Sequence, residues 1–567
     1  MATEVIVPTA DIRRIEAPVT VKAYFMCAFA AFGGFFFGFD SGYISGVLDM
    51  KYFIHTFQKL PYPPETPASL FFLSSNNTSL IVSILSAGTF FGAILSGDVA
   101  DWVGPRTTII AGCIVFSVGV AIEVASTTVP VLAAGRIIAG FGFGHVSAQI
   151  ILYMSEVAPR KVRGMIVSGY QLCIEIGILI ASCVNYGTEH RLDSGSYRIP
   201  MGIQFIPALV LGVGLFILPE SPRFFVKKGN LKKAAEALSS VRGQPEESDY
   251  VRQELAEIVA NHEYEMSVIP QSGYFSSWIN CFKGSLFRSS SNLRRTILGT
   301  SLQMMQQWTG INFIMYYSTV FLQSLGTIKN PFLMSLIFAL MQIIATPWTF
   351  YLIERFGRRA LLIYGALGML VCEFIVAGVG SSLPDEKSAI VAVIVFICFY
   401  ILFFASTWGP AAWVVVGEIF PIPIRARGVA LSTASNWLWN TIIGLITPVL
   451  ISKQRDNLGP KVFYLWGSLC TACLFYAYLL IPETKGLTLE QVDRMFEEST
   501  PIKSTRWKPH STFAADMGLT EGKASVEMLE ELDVAASKQP PAVVSNEEVD
   551  GHESDNLTGS RRHSEAV

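Results

Sequence analysis

Apolar residues fall into long runs along this chain, and short polar or charged segments separate the runs. A helix needs about 20 largely apolar residues to cross the hydrocarbon core of a bilayer. The runs predict about twelve spanning helices, at residues 24–47, 79–98, 108–127, 130–153, 165–186, 200–218, 295–322, 331–353, 360–380, 389–413, 428–452 and 462–481. The pattern therefore predicts an all-α membrane protein.

Two longer polar stretches divide the chain. Residues 223–294 separate the sixth and seventh predicted spans, and their apolar positions repeat with helical spacing, so we expect short helices on the cytoplasmic membrane surface. From about residue 500 the chain is rich in Ser, Glu, Pro and Lys, a composition typical of disorder. The predicted organisation is an N-terminal segment 1–22, a six-helix half 23–222, a linker 223–294, a second six-helix half 295–485 and a tail 486–567.

Composition agrees with a membrane protein. Hydrophobic residues make up 51% of the chain and charged residues 15%, whereas soluble domains carry about 25% charged residues. The net charge of −3 gives no basic surface for nucleic acid. No nucleotide loop, metal-ligand cluster or nucleophile–base set stands out, so we expect no enzyme activity, cofactor or metal. The lipid bilayer is the expected partner surface.

Three acidic–basic motifs occur twice, in the same order and at nearly the same offset. The pairs are residues 101–106 with 354–359, 156–163 with 418–425, and 219–223 with 482–486. Such a duplication predicts two six-helix halves that enclose a substrate site near the middle of the membrane.

Loop charges predict the orientation. If the spans alternate in direction, all six motifs lie on one side, and their short loops have the higher density of Arg and Lys. That side is therefore predicted to be cytoplasmic, with both chain termini. Asn76 begins a glycosylation sequon in the first loop on the opposite side, which favours an exterior position and a plasma-membrane protein.

The dispersed motifs also resemble those of a known family. Gly38-Phe-Asp40-Ser-Gly42, the motif pairs above, Gln306-Gln-x-x-Gly-Ile-Asn312 and Pro482-Glu-Thr-Lys-Gly486 are similar to motifs of the sugar porters of the major facilitator superfamily, especially fungal proton-coupled hexose transporters. The resemblance runs from about residue 22 to residue 495. It implies the major facilitator fold and import of a monosaccharide by a protein expected to act as a monomer.

A sugar presents hydroxyl groups and flat C–H faces, so its site should offer amides and aromatic rings. The resemblance places Gln171, Gln306, Gln307, Asn312 and Trp413 at sugar-contacting positions. Polar or aromatic character within predicted spans adds Gln342, Phe404, Asn436, Asn440 and Trp437 as candidates. Gln342 stands where the family usually carries Asn. For any single amide, a hydrogen bond between helices is the alternative.

Asp40 lies midway along the first predicted span, where a charged side chain costs about 2.5 to 3.5 kcal/mol unless it faces a partner or a cavity. Gly34, Gly38, Gly42 and Gly46 form a small-residue stripe that predicts close contact with another helix. The resemblance pairs Asp40 with Arg136. One hypothesis is that Asp40 carries the coupled proton, and the alternative is a permanent structural ion pair.

Glu175 is not expected from the family. It lies one helical turn after Gln171, so both side chains should point to the same side. Glu175 is therefore either a second carboxylate near the sugar or a buried neutral acid that bonds to a neighbouring helix.

The repeated motifs predict a cytoplasmic gate. Their carboxylates and guanidinium groups are expected to pair across the two halves when the carrier opens outward, although anchoring of loops is an alternative. Exposed pairs contribute about 0–1 kcal/mol each, which suits a gate that must open. The predicted gate residues are Arg106, Glu156, Arg163, Glu220, Arg223, Glu354, Arg358, Arg359, Glu418, Arg425 and Glu483.

Several functions remain open at this point. The leading hypothesis is a proton-coupled monosaccharide importer, and an uncoupled facilitator would use the same site. A transporter-like sugar receptor is a different class, since it would signal through its tail. The substrate could also be a pentose, a polyol or quinate.

Overall fold

The computed structural model describes residues 21–61, 73–159, 162–268, 274–288, 291–324, 331–383, 386–451 and 458–508. Within these ranges the regular structure is entirely helical. Most of the N-terminal segment 1–22, and the chain beyond residue 508, lie outside the described residues. Disorder is predicted from about residue 500, but Ser504–Arg506 forms a 3-10 turn.

The first part of the chain folds into long helices that are joined by short connections. They are α1 (Val21–Ala31), α2 (Gly33–Val47), α3 (Lys51–Gln58), α4 (Ser75–Val103), α5 (Pro105–Ala125), α6 (Val129–Val157), α7 (Arg163–Thr188), α8 (Gly195–Ile203) and α9 (Phe205–Leu215).

Four helices of 6 to 20 residues lie at the predicted linker. They are α10 (Pro222–Lys227), α11 (Leu231–Arg242), α12 (Asp249–Val268) and α13 (Tyr274–Cys281). Asn230 caps α11 by accepting a hydrogen bond from the backbone N–H of Lys233, and Gly243 ends this helix in the left-handed conformation. Trp278 on α13 donates to Asp98 at 3.1 Å, so the linker contacts the helix bundle directly.

The remaining helices form the second part of the bundle. They are α14 (Asn292–Trp308), α15 (Ile311–Ser324), α16 (Pro331–Phe356), α17 (Arg358–Ser382), α18 (Lys387–Phe403), α19 (Gly409–Glu418), α20 (Ile422–Ile451), α21 (Val462–Leu480) and α22 (Leu489–Glu498). A π-helical turn, Phe404–Trp408, joins α18 to α19.

Ten helical segments of the described residues are long and apolar enough to cross a membrane. Two predicted spans, 295–322 and 428–452, are not among them. The first is divided at Gly310, whose φ of 84° interrupts the helix between α14 and α15. The second lies within α20, which is 30 residues long but carries amides and several hydroxyl groups. The arrangement of twelve spans in two halves stays a prediction.

Small residues on α2 allow it to pack closely against α7. A methyl group added at Gly34 or Gly38 would overlap the backbone carbonyl of Tyr170 or Ile174. Further along the same contact, the Asn185 amide donates to the carbonyl oxygens of Gly42 and Tyr43. The predicted glycine stripe is therefore confirmed as a helix contact, and it fixes the position of Asp40 on α2.

We expect Gly38→Ala to destabilise the protein by about 1–3 kcal/mol, because the added methyl group forces α2 and α7 apart. Gly187→Ala is the matched control, since a methyl group at this position on α7 has no atom within 4 Å. Thermal unfolding of the purified protein measures both effects. Equal melting temperatures for the two variants would show that the contact is not needed for stability.

Candidate functional site

Polar groups meet at the start of α19, where the chain has two irregular segments. One is the break at Gly310 between α14 and α15, and the other is the π-helical turn between α18 and α19. The π-helical turn Phe404–Trp408 changes the hydrogen-bond pattern, so carbonyl oxygens become available to other helices. The amide of Gln306, on α14, donates to the carbonyl oxygens of Trp408 at 3.2 Å and Gly409 at 2.9 Å. A methyl group built on Gly409 would lie 3.3 Å from the side-chain carbonyl carbon of Gln171, so α7 reaches the same point.

Asn436 extends this group of amides from α20. Its Nδ2 donates to Gln303 Oε1 at 2.7 Å and to Gln306 Oε1 at 2.8 Å. Gln303 was not predicted, although it lies one turn before Gln306 and Gln307. Gln303 Nε2 is buried and has no hydrogen-bond partner among the described residues, so it offers a free donor. We call Gln171, Gln303, Gln306 and Asn436 the amide cluster.

Other predicted sugar ligands lie outside the amide cluster and bond to different partners. The Asn312 amide donates to Gln307, and the Gln342 amide contacts Met315 Sδ at 3.5 Å. Asn440 Oδ1 accepts from Ser86 on α4 at 2.9 Å. All these amides are buried, so each bond offsets the cost of removing a polar group from water.

The predicted aromatic residues are also buried, but they do not share one pocket wall. Trp413 packs edge-on against Tyr170 at 5.8 Å between ring centres. Trp437 lies edge-on to Phe37 at 4.9 Å, and its indole Nε1 has no hydrogen-bond partner among the described residues. Phe404 is in the π-helical turn, close to Gly409 and therefore to the amide cluster.

A narrow cleft lies between α2, α7, α15 and α16. Ser41, Ser45, Ser182 and Gln342 give it a polar lining, and Ile314, Met315 and Phe338 give it an apolar one. The cleft reaches Ser41, the neighbour of Asp40, so it adjoins the predicted proton site.

Asp40 and Arg136 lie together, as the resemblance implies, with Arg136 Nη2 at 3.6 Å from Asp40 Oδ2. Arg136 Nε also donates to the carbonyl oxygen of Ile81 at 2.8 Å. A second carboxylate, Glu123 on α5, lies 3.8 Å from Arg136 Nη1. Glu123 was missed in the sequence, although an acid inside the apolar run 108–127 is a signal that could have identified it.

Glu175 bonds to a helix of the other predicted half. Its Oε1 accepts from Gln171 at 3.3 Å, and its Oε2 lies 2.5 Å from Thr346 Oγ1. Thr346 Oγ1 is also 3.2 Å from the carbonyl oxygen of Ala405. Because a hydroxyl group has only one proton to donate, both contacts are hydrogen bonds only when Glu175 itself is protonated.

At one end of the bundle, which we call the motif end, contacts join the six repeated motifs. Glu220 Oε1 accepts from the backbone N–H groups of Arg106 and Ser221, each at 3.0 Å. Glu483 accepts in the same way from the N–H groups of Arg358 and Arg359, at 2.9 and 3.2 Å. These carboxylates therefore cap the first turns of α5 and α17, where the helix dipole favours a negative charge.

The glycines of the motifs allow these caps to form. Gly104 and Gly357 precede α5 and α17 with φ values of 94° and 89°, and a methyl group on either would overlap the capping carboxylate. Burial raises the pKa of the Glu220 and Glu483 carboxyls, although the backbone N–H donors oppose this shift.

A second repeated contact links the other acidic residues. Glu156 Oε2 accepts from Ser221 at 2.5 Å, and Glu418 Oε2 accepts from Thr484 at 2.7 Å. Arg223 Nη1 donates to the backbone carbonyl oxygen of Glu156. The first two contacts each lie within one predicted half, and Arg223 is the first residue of the predicted linker.

The ion pairs of Arg358 lie within one predicted half rather than across the two, and the cytoplasmic gate stays a prediction. Arg358 binds Glu418 at 3.0 Å and Glu354 at 3.4 Å, all within residues 295–485. Arg106 and Arg359 instead donate to the carbonyl oxygens of Leu218 and Tyr478. Backbone groups nearby compete for the same side chains, so the motifs mainly hold their own half together.

Contacts between the predicted halves come from residues in or next to the repeated motifs. Arg427 on α20 binds Asp98 at 3.1 Å and Asp101 at 2.5 Å on α4. Arg425 lies 4.0 Å from Glu156.

Glu354 and the start of α7 form a second contact between the predicted halves, which resembles the contact of Arg427 with α4. Glu354 accepts from the backbone N–H of Met165, two residues after the buried Arg163 that begins α7. In both places the end of one helix, α4 or α16, meets the start of a helix of the other half, α20 or α7. Arg427 and Asp98 were not among the predicted gate residues.

The described residues form a bundle of helices that are long and apolar enough to span a membrane, and the bundle buries amides, carboxylates and a guanidinium group, as an integral membrane transporter would. Residues 26–496 match the family model described as "Sugar (and other) transporter". The chain belongs to this family, the sugar porters of the major facilitator superfamily, and it resembles fungal hexose transporters.

Curated relatives include proteins with different printed descriptions. The major facilitator-type transporter ecdD of Aspergillus rugulosus is 43% identical over 86% of this chain and 90% of its own length. The probable glucose transporter rco-3 of Neurospora crassa is 38% identical over 87% and 83%. The high glucose sensor RGT2 of Saccharomyces cerevisiae is 38% identical over 84% of this chain but only 61% of its own length.

Solved structures agree with the fold. The proton:xylose symporter XylE bound to 6-bromo-6-deoxy-D-glucose matches with a TM-score of 0.70 over 84% of this chain and 99% of that one, at 24% identity. The inward open xylose transporter XylE from E. coli matches with a TM-score of 0.60 over 83% of this chain and 99% of that one, also at 24% identity.

We expect Glu175→Gln to keep wild-type sugar affinity and pH dependence, because the Gln amide can donate to Thr346 as a protonated carboxyl does. Glu175→Leu should lower stability by about 1–3 kcal/mol, because Thr346 and Gln171 lose a buried partner. Uptake kinetics over a range of pH and thermal unfolding measure these effects. A changed pH dependence in Glu175→Gln would instead make Glu175 a second proton site.

Proposed function

We propose that this chain imports a monosaccharide, glucose or a related hexose, together with a proton by alternating access. The proposed carrier is a plasma-membrane monomer with twelve spans and both termini in the cytoplasm, and Asn76, which is exposed on the first turn of α4, is its glycosylation site. Residues 23–222 and 295–485 form the two halves, and 223–294 form the cytoplasmic linker.

The amide cluster is the observation that carries the proposal for a sugar substrate. Gln171 comes from the first predicted half, while Gln306 and Asn436 come from the second, so a ligand held by them touches both halves. Amides both donate and accept hydrogen bonds, as the hydroxyl groups of a sugar require. Gln307, Asn312 and Gln342 would add contacts on α14 to α16, with Trp413 and Phe404 against the apolar faces.

Proton coupling is supported by the buried Asp40 and Arg136. A proton on Asp40 in the outward state releases Arg136 and favours sugar binding, and its loss inside restores the pair. One charge that crosses 100 mV gains about 2.3 kcal/mol, and two pH units add about 2.7 kcal/mol. The sum of about 5 kcal/mol supports a concentration ratio of order 10³.

An uncoupled facilitator and a sugar sensor are the alternatives. A facilitator would use the same amides and keep Asp40 and Arg136 as a permanent pair. The 38% identity to the high glucose sensor supports a sensor function for this chain, but about two fifths of that relative lies outside the match. A sensor would bind sugar without accumulating it.

Labelled glucose uptake in cells that lack their own hexose carriers tests the coupling. At acid external pH we expect accumulation above the external concentration. An uncoupler should abolish it because the proton gradient collapses, and Asp40→Asn should abolish it because an amide cannot take up and release the proton. Glu373→Gln is the matched control, since Glu373 is an equally buried carboxylate on α17. If internal glucose only reaches the external concentration and the uncoupler has no effect, the protein is a facilitator. If the protein reaches the cell surface but the cells take up no glucose, the sensor is favoured.

Gln306→Ala should raise the KM for glucose about tenfold to hundredfold, because a buried partner worth about 1–3 kcal/mol is lost. Gln149→Ala is the control, since this buried amide bonds to Ser96 between α6 and α4. The control should change thermal stability and leave the KM unchanged. If Gln306→Ala behaves like the control, then Gln306 only joins helices.

A further inference from the structure

Arg136 lies between two carboxylates rather than beside one. Its two terminal nitrogens are at nearly equal distances from Asp40 Oδ2, at 3.6 Å, and from Glu123 Oε2, at 3.8 Å. Tyr43 connects the second pair, because its hydroxyl accepts from Arg136 Nη1 at 2.6 Å and donates to Glu123 Oε2 at 2.7 Å. We call Asp40, Tyr43, Glu123 and Arg136 the charge cluster.

The formal charges of the cluster do not balance when both acids are ionised. One guanidinium group offsets one carboxylate, so a net charge of one negative unit remains at a site where Glu123 is fully buried and Asp40 is 4% exposed. Besides each other, the groups that face the cluster from neighbouring helices are the phenol of Tyr316 and the amide of Gln204, which are both neutral. A single added proton therefore makes the cluster neutral.

Both acids have an oxygen atom that could hold this proton. Asp40 Oδ1 is buried and has no hydrogen-bond partner among the described residues, whereas the Glu123 carboxyl also faces the amide of Gln204. The two acids differ in their surroundings, however. Asp40 is the neighbour of Ser41, which lines the cleft, while Glu123 approaches the other terminal nitrogen of Arg136 and accepts from Tyr43. The cleft favours Asp40 as the acid that takes up the proton, and this leaves Glu123 as the ionised partner of Arg136.

We propose that Glu123 is a permanent counterion that keeps Arg136 paired when Asp40 takes up the proton. Its charge also favours the protonated form of Asp40, because it cancels part of the attraction that Arg136 exerts on the Asp40 carboxylate. This role rests on the proposed proton coupling for its use in transport. Glu123 is thus a positioning residue that sets the pH range in which Asp40 is protonated.

A purely structural Glu123 would act through its hydrogen bond to Tyr43 alone. Glu123→Gln keeps the size of the side chain and an oxygen that accepts from Tyr43, but it removes the negative charge. The variant therefore separates the charge from the hydrogen bond. Glu373→Gln, which makes the same change at an equally buried site on α17, controls for the loss of any buried acid.

Infrared titration of the purified protein tests the proposal directly, because the C=O stretching band reports protonated carboxyl groups. In Glu123→Gln, the midpoint of the Asp40 band should move about one unit to lower pH, a tenfold loss of proton affinity. Glu123→Asp and Glu373→Gln should keep the wild-type midpoint. An unchanged midpoint in Glu123→Gln would overturn the proposal.

A second measurement does not require Glu123→Gln to fold. In Asp40→Asn, the titrating band should disappear, since Glu123 remains ionised beside Arg136. A titrating band could instead persist in Asp40→Asn and move when Glu123 is also changed to Asp. This result would assign the proton to Glu123 and overturn its role as counterion.

Uptake measurements connect the result to transport. The acid optimum of glucose accumulation should move by the same one unit or so in Glu123→Gln. If the wild type shows no uncoupler-sensitive accumulation, the proposed symport fails, but the infrared titration still decides the role of Glu123. The two failures are therefore distinguishable.

Discussion

Arg136 is 1% exposed, so water cannot solvate its guanidinium group. The protein must supply the hydrogen-bond acceptors and the negative charge instead. Four groups do so, namely Asp40, Tyr43, Glu123 and the carbonyl oxygen of Ile81. They come from α2, α4 and α5, and the close approach of α2 to α7 along the glycine stripe fixes the position of α2. Removal of one partner from a buried charge costs far more than an exposed pair contributes. The arrangement of these helices therefore depends on the balance of charges around one side chain.

The amide cluster meets the same constraint with neutral groups. Gln306 bonds to Trp408, Gly409 and Asn436, so these amides join helices. A sugar that replaced these bonds with its own hydroxyl groups would exchange partners at a small net cost, since one hydrogen bond contributes only about 0.5–1.5 kcal/mol. The same amide can therefore serve both as a helix contact and as a sugar ligand. The broken helices make the exchange possible, because their carbonyl oxygens already lie at the site.

The hydrophobic pattern was sufficient to predict an all-helical membrane protein, and the resemblance paired Asp40 with Arg136. The pattern did not predict the interruption at Gly310, because a glycine within an apolar run is compatible with a continuous helix. Glu123 was missed because its partners lie on other helices and spacing along one helix gives no indication of them. The gate pairs were assigned by charge alone, whereas backbone N–H groups compete for the carboxylates of Glu220 and Glu483.

Two kinds of contact at the motif end have different mechanical consequences. Caps such as Glu220 on α5 lie within one predicted half, so they can persist while the halves move as rigid bodies. The contacts of Arg427 with Asp98 and Asp101, and of Glu354 with Met165, join the halves and must break for that end to open. Arg427 is buried, so its pairs are not weak surface bridges, and breaking them would require water to enter and solvate the charges. In the proposed cycle, opening of the motif end would therefore require its hydration, and it would also disturb the hydrogen bond that Trp278 of the linker donates to Asp98.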